Sequence, residues 1–292
     1  MATGGHQQPR IRKISDLMNV VQRPKLAGVA RSAKAKCDIA LHDVSKTYVA
    51  DGATVDAVER ISVEIRSGEF VSILGPSGCG KSTLLMMVAG LETPTLGVVE
   101  VGGRKMTGPR FEIGVMFQDA TLLPWKTALD NVLFPFAITG KSAVDHRKDA
   151  QVLLRRVGLD GFETKRPSHL SGGMRQRVAL CRALITRPEV LLMDEPFSAL
   201  DAITRDEMNV VLTNLWQEFQ KTVVFVTHSI REAAFLSDRV LVMSQRPGRL
   251  LADLPIDITR PRHPAVGETP RFNEICGQLR QMISIAHGHA AG

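Results

Sequence analysis

The chain has 292 residues, of which 44% are hydrophobic and 23% charged, a composition typical of a globular protein with one large domain or two small ones. No run approaches the roughly 18 uninterrupted apolar residues of a membrane-spanning helix, and the N-terminus lacks the apolar core of a secretion signal. The four cysteines are too scattered to indicate a disulfide framework or a metal site, so we expect a reducing cytoplasm: Cys37, Cys79, Cys181 and Cys276.

The formal net charge of +7 resides in the first 37 residues, which contain eight Lys or Arg and one acid, whereas the rest of the chain is neutral. Positive charge that is confined to this N-terminal segment does not indicate a nucleic-acid-binding domain, and we expect no nucleic-acid partner. The polar, proline-containing leader, residues 1–36, predicts a disordered tail. Its apolar residues recur at near-helical spacing, so a short amphipathic helix on an anionic membrane or a partner is the alternative: Ile11, Ile14, Met18 and Val21.

Regular structure is predicted from Cys37 onward. Apolar residues alternate with polar ones around Ile39–Leu41 and Ile61–Ile65, which predicts strands with one buried face. The apolar run 69–74 predicts a fully buried parallel strand, and residues 83–89 have the composition of a helix. The order strand, glycine-rich loop, helix is the context that a phosphate-binding loop requires.

The loop between that strand and helix reads GPSGCGKS. Its glycines give the backbone the freedom to wrap an anion, so that consecutive N–H groups point at phosphate oxygens. Lys81 would reach the β and γ phosphates, the Ser82 hydroxyl would bind Mg²⁺, and Thr83 would assist at the α phosphate. The predicted ATP-binding loop therefore consists of Gly75, Pro76, Ser77, Gly78, Cys79, Gly80, Lys81, Ser82 and Thr83. Cys79 occupies a free position of the motif, and its alkylation would block nucleotide binding if the thiol were exposed.

Three further buried strands are predicted, and each is followed by polar residues. The strand 113–117 precedes Gln118, the strand 190–193 precedes two adjacent carboxylates, and the strand 223–226 precedes Thr227 and His228. The two carboxylates are Asp194 and Glu195. Because they are adjacent at a strand end, their side chains point in different directions and can have different roles.

A second motif, LSGGMRQR, spans residues 170–177. Ser171 is a good N-cap, Gly172 and Gly173 allow close approach of the backbone, and a helix is predicted over 174–185. One face of that helix is apolar and is predicted to pack in the core: Met174, Val178, Cys181 and Ile185. Its N-terminus is therefore an anion site with no anion nearby in its own subunit.

The two motifs, in this order, resemble the ATP-binding cassette (ABC) family over roughly residues 38–265. The resemblance implies an α/β fold: a P-loop ATPase core with a parallel sheet, an antiparallel β subdomain, and an inserted helical subdomain at about 119–180. It places the cassette at 37–265 and a closing helix with a frayed tail at 266–292. An interval of only 90 positions between Lys81 and Ser171 argues against the DNA-repair ATPases, which are the alternative, because those insert long coiled coils.

The resemblance also assigns roles. Asp194 would hold Mg²⁺, Glu195 would be the general base, and His228 would contact the γ phosphate. Gln118 would sense Mg²⁺ and the attacking water, and Tyr48 would stack on adenine, with a position in the hydrophobic core as its alternative.

In the family, two cassettes bind ATP between them. The phosphate loop of one cassette holds the nucleotide, and the positions of Ser171 and Gly173 in the other cassette contact it. Asp201 matches the loop that crosses this interface. A second ATP-binding subunit, transmembrane permease subunits and, indirectly, an extracytoplasmic solute-binding protein are the implied partners, at the cytoplasmic face of the inner membrane. Trp125 is predicted to be a packing residue, with a groove that receives a permease helix as the alternative.

The sequence also indicates a branch of the family. MFQDATLLPW at 116–125 together with the signature is similar to ATPases that serve importers of nitrate, sulfonates and taurine, and RPGRL at 246–250 and RPRHP at 260–264 add to this. Met174 replaces the commoner glutamine, which should reduce polar contacts without abolishing function. About 40 residues follow Arg249, so we expect one closing helix and no regulatory β domain.

Overall fold

A computed structural model describes residues 39–50 and 52–287. The predicted leader, the start of the cassette at residue 37 and the frayed tail after His287 lie outside these residues. The strands are β1 Ile39–Ala50, β2 Ala53–Ile65, β3 Phe70–Leu74, β4 Leu96–Val101, β5 Arg104–Lys105, β6 Ile113–Met116, β7 Val190–Asp194, β8 Thr222–Val226, β9 Arg239–Met243 and β10 Leu250–Pro255. The helices are α1 Lys81–Ala89, α2 Ala128–Ile138, α3 Arg147–Arg156, α4 Gly172–Leu184, α5 Ala202–Phe219, α6 Ile230–Leu236 and α7 Pro270–Ala286, with 3₁₀ turns at Pro167–His169 and Pro264–Glu268.

A six-stranded sheet forms the centre of the fold, in the order β10-β9-β3-β8-β7-β6. The four pairings from β9 to β6 are parallel, and β10 runs antiparallel at one edge. Strands β3, β7 and β8 are buried at every position, as expected for continuous apolar runs covered on both faces. The carboxyl ends of the parallel strands therefore meet at one edge of the sheet.

A second, antiparallel sheet has the order β2-β1-β4-β5. The alternating sequence of β2 places Ile61, Val63 and Ile65 on its buried face, as predicted. These residues pack in one hydrophobic cluster with α1 and with one face of the central sheet, including Val71 and Ile73. The predicted α/β fold with a parallel core and an antiparallel sheet is confirmed.

Helices α2, α3 and α4 occupy the stretch between β6 and β7 and share a second hydrophobic cluster with the other face of the central sheet. Helix α3 spans Arg147–Arg156. Its buried residues include Ala150, Leu153 and Leu154. The subdomain boundaries at 119 and 180 stay a prediction, although helices dominate the segment.

The predicted closing helix is α7, which buries Phe272, Ile275 and Leu279 against the core cluster while Ile283 is partly buried. Within residues 39–50 and 52–287, no helix combines the length and apolarity needed to cross a bilayer.

The RPRHP segment secures the end of α6. The buried Arg262 guanidinium donates to the carbonyls of Phe235 at 3.0 Å and Ser237 at 2.7 Å, and also to those of Ile256, Ile258 and Ala234. Burial lowers the pKa of Arg262 to about 10, so the side chain is still charged at neutral pH. One buried cation thus satisfies carbonyls at the C-terminal end of a helix, where a positive charge is favourable.

Arg262→Ala should therefore destabilise the fold by about 3 kcal/mol or more, because it leaves several buried carbonyls without donors. Denaturant unfolding measures this free energy. Arg271→Ala is the matched control: Arg271 pairs with Asp257 and Glu274 at the surface, and its loss should cost less than about 1 kcal/mol. Equal losses in the two variants would contradict the assignment.

Candidate functional site

The glycine-rich loop lies between β3 and α1, as predicted. Gly78 and Gly80 have positive φ values of 71° and 100°, and a Cβ on Gly80 would lie 2.5 Å from the Ala57 carbonyl oxygen, so glycine is required there. The Lys81 ammonium is 5% exposed and donates to the carbonyls of Gly75 at 3.0 Å and Pro76 at 2.8 Å. Its charge is thus held inside the loop, where an anion would be wrapped by backbone N–H groups.

Cys79 lies in this loop with its side chain buried. Burial raises the pKa of the thiol, while the nearby charge of Lys81 lowers it. Alkylation could block nucleotide binding only if the thiol were exposed, and this condition is not met. Cys79 therefore contributes to the loop through its backbone and through the packing of its side chain.

Ser82 and Asp194 meet at the adjacent strand end. The Ser82 hydroxyl donates to Asp194 Oδ1 at 3.0 Å. Burial raises the pKa of Asp194, the bond from Ser82 lowers it, and the neighbouring Glu195 raises it. A nearby cation would favour the ionised carboxylate, and hydroxyl and carboxylate oxygens are the donors that Mg²⁺ prefers. The Ser82 hydroxyl and the Asp194 carboxylate therefore fit a magnesium ion.

Glu195 and His228 form a second pair beside the first. Their side chains approach to 3.0 Å between Oε2 and Nδ1, and the Glu195 N–H donates to the Val226 carbonyl at 2.9 Å. Glu195 adopts a left-handed backbone conformation with φ of 42°, which is uncommon for a residue other than glycine. The two adjacent carboxylates do point to different partners, Asp194 to Ser82 and Glu195 to His228.

Gln118 follows the end of β6, at the same edge of the sheet. Its carbonyl accepts a hydrogen bond from Gln176 Nε2 at 2.7 Å, which ties the segment after β6 to α4. This contact could not be predicted from the sequence, because Gln176 is only a polar residue inside a predicted helix.

The second motif forms a capped helix N-terminus. Ser171 caps α4 by accepting from the Met174 N–H at 3.2 Å, and the helix begins at Gly172, two residues before the predicted start. Gly173 is buried, and a Cβ there would lie 2.7 Å from Thr204 Cγ2. The small residue therefore lets α4 pack closely on the first turn of α5. Of the predicted apolar face, Val178, Cys181 and Ile185 are buried, and Met174 is partly buried.

Asp201 is the N-cap of α5. Its carboxylate accepts from the backbone N–H of Thr204 at 3.0 Å and from the Thr204 hydroxyl at 2.7 Å, and these bonds lower its pKa. The side chain is exposed and ionised at neutral pH.

Tyr48 is 38% exposed, so the alternative of a core position is wrong. The ammonium of Lys46 lies 4.9 Å from the centroid of its ring, and the ring presents a surface on which a planar base can stack.

Comparisons with known proteins show the family of this chain. The ABC transporter family model matches residues 58–198, which include the phosphate loop, the signature and Glu195. An uncharacterized ABC transporter ATP-binding protein of Methanocaldococcus jannaschii is 45% identical over 234 residues, which are 80% of this chain and 88% of that protein. The chain belongs to the ABC transporter family.

Two further ABC proteins extend the comparison. A taurine import ATP-binding protein of Burkholderia thailandensis is 45% identical over 80% of this chain and 92% of that protein. A solved ATP-binding cassette, dimeric in a post-hydrolysis state with ADP and Pi, superposes with a TM-score of 0.68 at 35% identity, covering 76% of this chain and all of that chain. The chain is an ATP-binding subunit that hydrolyses ATP.

The prediction that Trp125 is a packing residue is wrong. Its side chain is 67% exposed, in the segment between β6 and α2. A large apolar residue is assigned to the core by default, and the residues next to Trp125 in the sequence do not indicate that its side chain is exposed.

The ABC cassette also has a contact to its phosphate loop that the sequence did not reveal. The RPGRL segment, residues 246–250, follows β9 at the same sheet edge. Arg246 Nε donates to the Gly78 carbonyl at 3.1 Å. Gly248 exchanges backbone hydrogen bonds of 3.0 Å with β2, donating to Ala57 and accepting from Glu59. The segment therefore supports the phosphate loop from the side of the antiparallel sheet.

Gly248→Ala should weaken ATP binding about tenfold, because overpacking of ~1–3 kcal/mol would displace the loop. A Cβ at this position would lie 2.1 Å from the Cys79 carbonyl oxygen. Titration with a fluorescent ATP analogue measures the affinity.

Gly277→Ala is the matched control, because nothing lies within 4 Å of a Cβ there. It should leave ATP affinity unchanged and stabilise α7 by about 0.5–1 kcal/mol. Wild-type affinity in Gly248→Ala would show that the loop does not depend on this contact.

Proposed function

We propose that this chain is the ATP-hydrolysing subunit of an importer of a small anionic solute, acting on a separate permease. The observation that carries the proposal is the Glu195–His228 pair, 3.0 Å apart, beside the Ser82–Asp194 pair and the phosphate loop. A base, a polar partner that orients it, a cation site and an anion cradle at one edge of a sheet form a constellation for phosphoryl transfer to water.

In this proposal, Lys81 leaves the carbonyls of Gly75 and Pro76 and pairs with the β and γ phosphates. Ser82, Asp194 and Gln118 would hold Mg²⁺, and the ion would neutralise charge on the phosphates when bound. Glu195 accepts a proton from the attacking water, and its hydrogen bond with His228 fixes the orientation of the carboxylate.

A second copy of the cassette completes the site. The exposed helix N-terminus at Ser171 and Gly172 is positively polarised, and the hydroxyl of Ser171 already caps its own helix. It can receive the γ phosphate of ATP bound to the loop of the second copy, with Tyr48 of that copy on adenine. The similarity to a solved dimeric cassette supports this arrangement.

The contact with a permease is assigned to the exposed surface around Trp125. A cavity of about 140 Å³ lies next to it, lined by Lys126, Asp130, Leu133, Ala137, Ala143, Val144 and Arg147. An exposed aromatic beside a partly apolar cavity is typical of an interaction surface. The cassette would then sit peripherally at the cytoplasmic face of the membrane.

The solute class rests on relatives. Four of them are named taurine import ATP-binding proteins, at 41 to 45% identity over most of the chain. Taurine, alkanesulfonates and nitrate are the candidates, delivered by an extracytoplasmic solute-binding protein.

Glu195→Gln should lower turnover at least about 100-fold while ATP still binds, because the base is lost and the shape is kept. Phosphate release measures turnover, and light scattering with ATP should show the variant as a stable dimer. Glu189→Gln, at the opposite end of β7, is the matched control and should turn over normally. Near-normal hydrolysis by Glu195→Gln would sink the assignment of the base.

Trp125→Ala should leave ATP hydrolysis by the isolated subunit unchanged but reduce uptake about tenfold or more, if this aromatic anchors the permease. Uptake of labelled taurine, methanesulfonate and nitrate by cells carrying each variant provides the measurement. Leu251→Ala, which removes another exposed apolar side chain, should have no effect. Normal uptake in Trp125→Ala would exclude this surface, and absence of uptake of all three solutes in the wild type would exclude the solute class.

A further inference from the structure

Two charged side chains connect the turn before α5 with the start of α6. Arg205 Nη2 donates to the Leu200 carbonyl at 2.9 Å, one residue before Asp201. Glu232 Oε2 accepts from the hydroxyl of Thr227, one residue before His228. Each of these side chains thus holds the backbone next to a residue of the candidate ATP site.

The contact between the two side chains is incomplete. Arg205 Nε and Glu232 Oε1 are 3.8 Å apart, and neither atom has a hydrogen-bond partner among the described residues. The side chains are only 27% and 7% exposed. A buried polar atom without a hydrogen-bond partner is costly, so a shift of about 1 Å that completes this bond would be favourable. The described arrangement is the open one, and that shift would give a closed one.

The Glu232 side of the contact determines the position of His228. The Thr227 hydroxyl donates to Glu232 and accepts from the Ser229 N–H at 3.0 Å, so the backbone is held on both sides of His228. The Ser229 hydroxyl in turn accepts from the Glu232 N–H at 3.3 Å. A displacement of Glu232 would thus be transmitted to the ring that contacts Glu195.

The Arg205 side reaches the signature. Gly173 packs so closely on Thr204 that a Cβ would overlap it at 2.7 Å and would lie 3.8 Å from Leu200 Cδ2. A movement of the signature backbone therefore pushes on the first turn of α5, which carries Arg205. The contacts thus lead from Gly173 through Thr204 to Arg205 and from Glu232 to Thr227, next to His228, and the 3.8 Å gap between Arg205 and Glu232 is the one open step.

We propose that Arg205 and Glu232 are positioning residues that couple the two ATP sites of the dimer. ATP held by the signature of this chain belongs to the second copy, whereas His228 serves the ATP in this chain's own loop. Closing of the Arg205–Glu232 contact would thus align His228 and Glu195 in one site when the other site has bound ATP. This inference rests on the proposed roles of the signature, Glu195 and His228.

The test is steady-state hydrolysis by the full-length chain as a function of ATP concentration. Coupled sites should give a Hill coefficient above 1 in the wild type. Glu232→Gln keeps the shape but removes the charge that Arg205 needs, so the Hill coefficient should fall to about 1 and kcat about tenfold, with half-saturation within about twofold. Arg205→Ala should do the same, and the double variant should be no worse than the poorer single variant.

The Hill coefficient separates coupling from a merely structural effect, because a smaller folded fraction lowers the apparent kcat and leaves cooperativity unchanged. Glu69→Gln is the matched control: Glu69 is 14% exposed and pairs with Arg239 at 3.0 Å, at the opposite end of β3. It should keep wild-type turnover and cooperativity.

Three results would overturn the proposal: a wild-type Hill coefficient of 1, wild-type cooperativity in Glu232→Gln, or additive losses in the double variant. Failure of the underlying site assignment is recognised separately, because Glu195→Gln would then retain hydrolysis whatever the Arg205 and Glu232 variants do.

Discussion

The parallel direction of five strands is the constraint on which the candidate site depends. Because β9, β3, β8, β7 and β6 run the same way, the residues that follow them meet at one edge of the sheet. The phosphate loop follows β3, Asp194 ends β7, and His228 comes two residues after β8. Segments that are more than 100 residues apart in the chain thus contribute to one site. The order of the strands in the sheet is enough to bring them together.

Much of this edge could be predicted from the sequence, for a physical reason. Each buried strand is a short apolar run, so its end is visible as the first polar residue, and parallel order then places these residues together. The loop glycines, the paired carboxylates and the Ser171 cap are likewise local signals. The predicted strands of the central sheet and the helices after the two motifs agreed with the structure to within about two residues, whereas β1 and β2 extend well beyond the predicted segments around Ile39–Leu41 and Ile61–Ile65.

The sequence could not reveal contacts between surfaces that meet only after folding. The 67% exposure of Trp125 depends on what the neighbouring helices leave uncovered, and the burial of Cys79 depends on the RPGRL segment that packs over it. The Arg205–Glu232 contact joins two helices that β8 separates in the chain. In each case the residue type is compatible with several environments, and only tertiary packing selects one.

Helix α4 has a position that connects the site with the proposed permease surface. Its N-terminus presents Ser171, while Gln176 bonds the Gln118 carbonyl at 2.7 Å. Further along the same helix, Arg182 donates to the carbonyls of Ala120 at 2.7 Å and Thr121 at 2.9 Å.

Burial lowers the pKa of Arg182, yet arginine remains charged at neutral pH and needs these acceptors. The segment that leads from Gln118 toward Trp125 is therefore fixed to the helix whose start, in the proposed dimer, would bind the second copy's ATP. A displacement of α4 on closure of that dimer would carry this segment with it, because moving one without the other would remove the acceptors of a partly buried guanidinium. The same helix would then transmit closure to the exposed surface without a separate hinge element.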